Sequence, residues 1–153
     1  EIASCLVGSE MCIRDRRIPA LAYQTRRMSE MKRIIMDLDD TICHTKGGDY
    51  KNSTPKHEVI ETLREYKLLG FEIVISTSRN MRTYEGNIGK INANTLPVIM
   101  EWLQRHEVPF DEIYVGKPWC GHEGFYVDDK AIRPDEFAKL SYDQIKDLTG
   151  IKA

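Results

Sequence analysis

From Lys32 onward, short apolar runs alternate with stretches in which apolar residues recur every three or four positions. RIIMDLD, residues 33–39, carries Ile34, Ile35, Met36 and Leu38 almost without interruption. That is the pattern of a strand covered on both faces, and it predicts a central strand. FEIVIST (71–77), EIYVG (112–116) and GFYVDD (124–129) read as a second, third and fourth strand, and polar groups close the first, second and fourth of these runs. Between the first two, Thr54 is a plausible N-cap and Pro55 fits the first helical position. Val59, Ile60, Leu63 and Tyr66 then form a helical stripe that Gly70 can stop. A further helix is expected to start near Asn94 or Thr95, with Pro97 in its first turn, and to run through PVIMEWLQRH. Ser141 followed by Gln144 offers a capping box for a last helix reaching toward Gly150. Strands separated by helices imply a three-layer α/β domain with a mostly parallel sheet, whose functional crevice lies beyond the carboxyl ends of the strands.

Composition narrows the picture modestly. A chain of 153 residues suits one domain with a real core. With 41% hydrophobic and 30% charged residues and a net charge of -2, it has no basic surplus, so no nucleic-acid partner is expected. Cys5, Cys12, Cys43 and Cys120 are too dispersed for a CxxC site and fit a reducing, cytoplasmic setting. No apolar run approaches the roughly 20 residues that span a bilayer, so no membrane insertion is expected.

Residues 1–30 have a different character: a short apolar start, then two arginine pairs, without the long apolar core of a secretory signal. They read as a non-core extension, with translation starting at Met28 or Met31, and the domain as 31–153. CLVGSEMCIRDR is also similar to a recurrent artefact of translated adapter sequence. The competing reading is a short helix packed on the domain.

The chemistry concentrates at the strand ends. In an extended segment Asp37 and Asp39 point the same way while Leu38 points into apolar packing. Two close carboxylates repel unless a cation, a donor or a shared proton compensates them. Asp128 and Asp129, at the end of another expected strand, could complete an oxygen-rich magnesium site. Lys117 would bring a point charge for a phosphate and Thr77 a hydroxyl donor. Arg79, two positions after Thr77, has a planar fork suited to phosphate. Each of these residues alone would be an ordinary loop, cap or solvated side chain. Together, in this order, they point to phosphoryl transfer.

The same residues carry a resemblance. DLDDT at 37–41, Thr77 in ISTSR, Lys117 in VGKP and VDD ending at Asp129 resemble the four motifs of the haloacid-dehalogenase-like superfamily of aspartate-nucleophile phosphatases. MDLDDTI, SRNMRTYEGNIGKIN, VGKPWCG and GFYVDDKAIRPDEF are similar, more narrowly, to its small capsule-biosynthesis phosphatases. The resemblance covers Met31 to Gly150 and implies a Rossmann-like domain. It implies Asp37 as nucleophile, Asp39 as general acid and then base, and Thr77 and Lys117 on the phosphoryl group. It also implies Mg2+ held by Asp37, the Asp39 main-chain carbonyl and Asp128, with Asp129 assisting. Backbone amides just after Asp37 could hold its oxygens. Asp40 is expected to support the turn, and His44 and Asn80 join Arg79 as candidate substrate contacts.

GNIGKIN is no nucleotide loop, because Tyr84 stands where GxxxxGK[ST] needs glycine and Ile91 where it needs a hydroxyl. It reads as a helix lead-in, and GGDYKNS as a rim of the pocket. From Asp39 to Ser76 is only 37 positions, and 39 residues lie between Thr77 and Lys117. Neither gap has room for a large cap domain. An exposed pocket suits a bulky phosphate ester or phosphorylated glycan, or closure by another subunit in a homo-oligomer or an assembly of polysaccharide-biosynthesis enzymes. The expected function is therefore a magnesium-dependent phosphomonoesterase acting on a sugar phosphate or glycan precursor. A nucleotide or general metabolite phosphatase is the enzymatic alternative. A phosphoacceptor or idle assembly module is the non-enzymatic one.

Overall fold

The computed structural model describes residues 31–151. The expected extension over 1–30 therefore lies outside the described residues. Residues 32–151 fall within one compact unit. Its core sheet has three strands, β1 (Arg33–Met36), β4 (Glu72–Thr77) and β5 (Glu112–Val115), in the order β1-β4-β5 and all parallel. Parallel neighbours need long crossovers. The first runs through α1 (His57–Leu68), the second through α2 (Ile88–Asn94) and α3 (Leu96–Arg105). A short antiparallel pair, β2 (Cys43–His44) with β3 (Thr54–Pro55), lies within the first crossover. Two more helices, α4 (Pro134–Lys139) and α5 (Tyr142–Thr149), complete the described unit. It is an α/β domain with a parallel core sheet and no separate cap domain among the described residues. No described helix is long and apolar enough to cross a membrane.

The middle strand β4 is apolar on both faces, as its run predicts. Ile73 and Ile75 join the main core with Leu63 of α1 and Trp102 and Leu103 of α3, whereas Val74 and Ile91 of α2 are buried outside that cluster. Alternation along the strand sends these side chains to opposite faces. The α1 stripe of Val59, Ile60, Leu63 and Tyr66 is buried as expected, and Gly70 follows the helix at φ +83°. Tyr66 also meets Phe71 edge-on at 5.0 Å and stacks on Phe137 at 5.2 Å, tying α4 to α1. The Ser141 and Gln144 capping box forms, and α5 ends on Gly150 in the left-handed region.

Three expectations are corrected. Thr54 and Pro55 do not start a helix; they pair with His44 and Cys43, and Lys56 caps α1 without a side-chain bond. The Lys56 amide donates to the Ile42 carbonyl at 2.8 Å, so the ladder claims these residues before the helix can. Pro55 is tolerated on so short an edge strand, where its missing N–H leaves nothing unpaired.

GFYVDD forms no strand. Tyr126 is instead held back on its own loop, its hydroxyl donating to the Pro118 carbonyl at 2.6 Å and its ring 4.2 Å from the Lys117 ammonium. Gly124 packs so closely on the Cys120 carbonyl that an added Cβ would sit 1.9 Å from it. The segment thus closes locally, and Phe125 and Val127 stay 80% and 86% exposed. As a result β1 lies at the edge of the sheet rather than in its centre, with Ile35 70% exposed.

Candidate active site

β1 ends at Met36, and the chain folds sharply around Leu38. The Leu38 carbonyl accepts the amides of Thr41, Ile42 and Cys43, while its side chain is fully buried. Asp40 takes a left-handed conformation, φ +58°, that aspartate tolerates better than most residues. Its carboxylate turns outward to His44 Nδ1 at 2.8 Å. Asp40 therefore supports the turn, and His44 is engaged there rather than in the pocket described below.

Asp37 and Asp39 remain half-buried beyond the strand end. Lys117 lies 3.5 Å from Asp37 Oδ1. It is aimed there by the turn after β5, where Gly116 adopts φ +94° and an added Cβ would lie 2.5 Å from Ile88. The Lys117 amide donates to the Thr77 carbonyl at 3.1 Å, which locks this turn to the end of β4. Thr77, 1% exposed, accepts the Arg79 amide on Oγ1 at 3.1 Å, and its own O–H remains available as a donor. Burial raises the Asp37 carboxyl above its ordinary pKa; Lys117 and the Leu38 amide oppose this, and nearby Asp39 adds to it.

Arg79 goes to Asp39. Its Nε and Nη2 donate to the two carboxylate oxygens, each at 3.0 Å, from a guanidinium that is wholly buried. Nη2 also lies 3.2 Å from Cys43 Sγ, and the guanidinium covers the Tyr50 ring at 4.6 Å. Nη1 has no partner. Asp39 Oδ1 additionally accepts the Thr45 hydroxyl at 2.5 Å, Thr45 shares a 2.7 Å bond with Ser53, and the Ser53 carbonyl accepts Trp102 Nε1 at 2.9 Å. A chain of contacts thus fixes Asp39 to helix α3. Burial also pushes the Cys43 thiol up, which keeps it protonated and unreactive beside the carboxylates.

Next to Asp39 lies an open pocket of about 350 Å³. GGDYKNS does rim it, through Gly48 and Tyr50, and Arg79 and Asn80 line it as candidate contacts. Arg82, Trp119 and His122 line it too. Nothing in the linear pattern singles these three out: Arg82 falls in a run of turns, and Trp119 and His122 follow Lys117 on a loop with no periodicity. Proximity to VGKP was the signal available for Trp119 and His122, and proximity to Arg79 for Arg82.

The structure joins Asp37, Asp39, Thr77, Arg79 and Lys117 through consecutive contacts, with Asn80 beside them. It does not bring Asp128 or Asp129 to them. Both are exposed, and Asp128 accepts the Lys130 amide at 2.8 Å. Among the described residues no three His, Cys, Asp or Glu side chains come together to hold a metal. With Asp128 and Asp129 exposed and apart from Asp37, the carboxylates as arranged do not complete a magnesium site.

A carboxylate, a lysine and a buried hydroxyl thus gather at the carboxyl ends of parallel strands in an α/β domain, an arrangement able to receive an anion. Residues 34–102 match the family described as haloacid dehalogenase-like hydrolase. The chain is 62% identical to a protein from Vibrio cholerae of known crystal structure, with a TM-score of 0.77 and alignment over 78% of this chain and 98% of that one. No curated protein matches. The chain belongs to the haloacid dehalogenase-like hydrolases.

Proposed function

We propose that the protein is a phosphomonoesterase working through an aspartyl-phosphate. The observation that carries this reading is the chain of contacts at the strand ends: Asp37 with Lys117, Lys117 with Thr77, Thr77 with Arg79, and Arg79 with Asp39. In the first step an Asp37 oxygen bonds to phosphorus as the bond to the leaving oxygen breaks, and Asp39 gives that oxygen a proton. In the second, Asp39 takes a proton from water, whose oxygen attacks phosphorus and releases inorganic phosphate and free Asp37. Lys117 neutralises charge beside Asp37 throughout, and the Thr77 hydroxyl donates to a phosphoryl oxygen. As both Asp39 oxygens are held by Arg79 and Thr45, each proton transfer requires one of these bonds to open.

Magnesium is the cofactor the family implies. Asp37 and the Asp39 main-chain carbonyl would be ligands, and Asp128 and Asp129 would have to leave their exposed loop to join them. The substrate we favour is a sugar phosphate or phosphorylated precursor of capsular polysaccharide, handled in the cytoplasm. Support for that finer reading is the likeness of SRNMRTYEGNIGKIN, VGKPWCG and GFYVDDKAIRPDEF to capsule-biosynthesis phosphatases, and an open pocket of about 350 Å³, roomy enough for a sugar.

The test is phosphate release from p-nitrophenyl phosphate, sugar phosphates and nucleotides, with and without magnesium. We expect turnover with magnesium, loss of at least a thousandfold in Asp37→Asn, and a stalled phosphoenzyme in Asp39→Asn. Unchanged turnover in Asp37→Asn would remove the nucleophile assignment.

A further inference from the structure

Building on the phosphomonoesterase reading, we infer that the pocket beside Asp39 binds a hydroxylated leaving group bearing a second anionic group, which Arg82 receives. Asp39 lines this pocket, but Asp37, Thr77 and Lys117 do not. The pocket is therefore on the proton donor's side of the site, where the leaving oxygen must be, and apart from the groups that would hold the transferred phosphoryl.

Its charges do not balance. Arg79 and Arg82 contribute two guanidinium groups, and Asp39 is the sole carboxylate in the lining. That carboxylate is already taken by both arms of the Arg79 fork. Among the described residues Arg82 has no carboxylate within ion-pair distance. It is nevertheless held in place: its guanidinium lies 5.6 Å from the centre of the Trp119 ring, and Nη1 is 3.2 Å from His122 Nε2. A guanidinium can only donate, so Nε2 is the acceptor in this contact. His122 in turn stands edge-on to Trp119, the planes at 86°. A cation braced on an aromatic face and one acceptor has already lost much of its rotamer freedom, and its remaining N–H groups can meet a carboxylate or phosphate. Thr45, Ser78, Asn80 and Thr83 supply hydroxyl and amide groups to the same lining, which suits the hydroxyls of a sugar or polyol. Volume, charge and lining together specify a sugar acid phosphate or a sugar bisphosphate over a neutral sugar phosphate or a purely apolar ester.

The experiment compares matched pairs: 6-phosphogluconate with sorbitol 6-phosphate, differing by one carboxylate, and fructose 1,6-bisphosphate with fructose 6-phosphate, differing by one phosphate. We expect the wild-type protein to favour the more anionic member of at least one pair by tenfold or more in kcat/KM, chiefly through KM. In Arg82→Met, which keeps a stem against Trp119, that ratio should fall to within about twofold of unity. Preference in the first pair alone assigns a sugar acid, and in the second alone a bisphosphate. Equal handling of both pairs by the wild type, or a ratio untouched by Arg82→Met, overturns the inference. p-Nitrophenyl phosphate separates the two readings. Turnover of it without pair preference removes only the leaving-group inference. No turnover of any ester removes the phosphatase reading, and calorimetric binding of the same pairs to wild type and Arg82→Met then decides the pocket on its own.

Discussion

Asp37 sits between opposing fields, with burial and Asp39 working against its charge and Lys117 and the Leu38 amide working for it. Burial prevails, so the folded protein holds the proton more tightly than an unfolded chain does. Stability linked to Asp37 is therefore complete below the ordinary carboxylate range and is lost as pH rises through the raised value. Asp37→Asn cannot ionise and should melt higher than wild type near neutral pH, by on the order of 1 kcal/mol, a typical gain for relieving one unfavourable site. Thermal melts across a pH series should show that gap closing in acid. A variant that melts lower than wild type near neutral pH, with the deficit closing in acid, would mean that Lys117 overrides burial. At this scale the sequence was informative wherever a polar residue interrupted or ended an apolar run, as at Asp37, Asp39 and Thr77. Arg79 was legible as a group near the site, although its guanidinium is bonded to Asp39 and does not stand free for a phosphate. Arg82 and His122 were not legible, because their meeting depends on how two irregular segments pass each other.

Local chemistry determines the elements with strong caps. Ser141 and Gln144 exchange both bonds of a capping box, and α5 follows as the sequence predicts. Ser141→Ala should cost about 1 kcal/mol, read as a lower urea midpoint at an unchanged slope. FEIVIST has neighbours on both sides and became the middle strand, whereas GFYVDD, with comparable β propensity, was drawn into contacts with Pro118 and Lys117. Thr54 and Pro55 met the rules for a helix start, yet two residues of ladder with β2 outweighed them. Tertiary competition of this kind leaves no periodic trace.

On the scale of the molecule, the alternation of strands and helices established an α/β unit with its site at the carboxyl edge of a parallel sheet. The position of β1 within that sheet was not legible, since it depends on whether a distant segment pairs with it. Carrying each strand end to the next are helical crossovers instead of tight hairpins, so Asp37, Thr77 and Lys117 come from separate regions of the chain.

That parallel arrangement also sets an order of events. Partners in β1 and β4, and again in β4 and β5, are about 40 residues apart, and neither ladder can begin until a whole crossover has closed. β4 belongs to both ladders and is the natural nucleus. Ile75→Val, costing about 1 kcal/mol, should therefore act mainly by slowing refolding, while Ile145→Val in α5 should act mainly by speeding unfolding, as the two arms of a stopped-flow chevron would show. The strand that holds Thr77 in place would then also be the one around which the chain first commits to its fold.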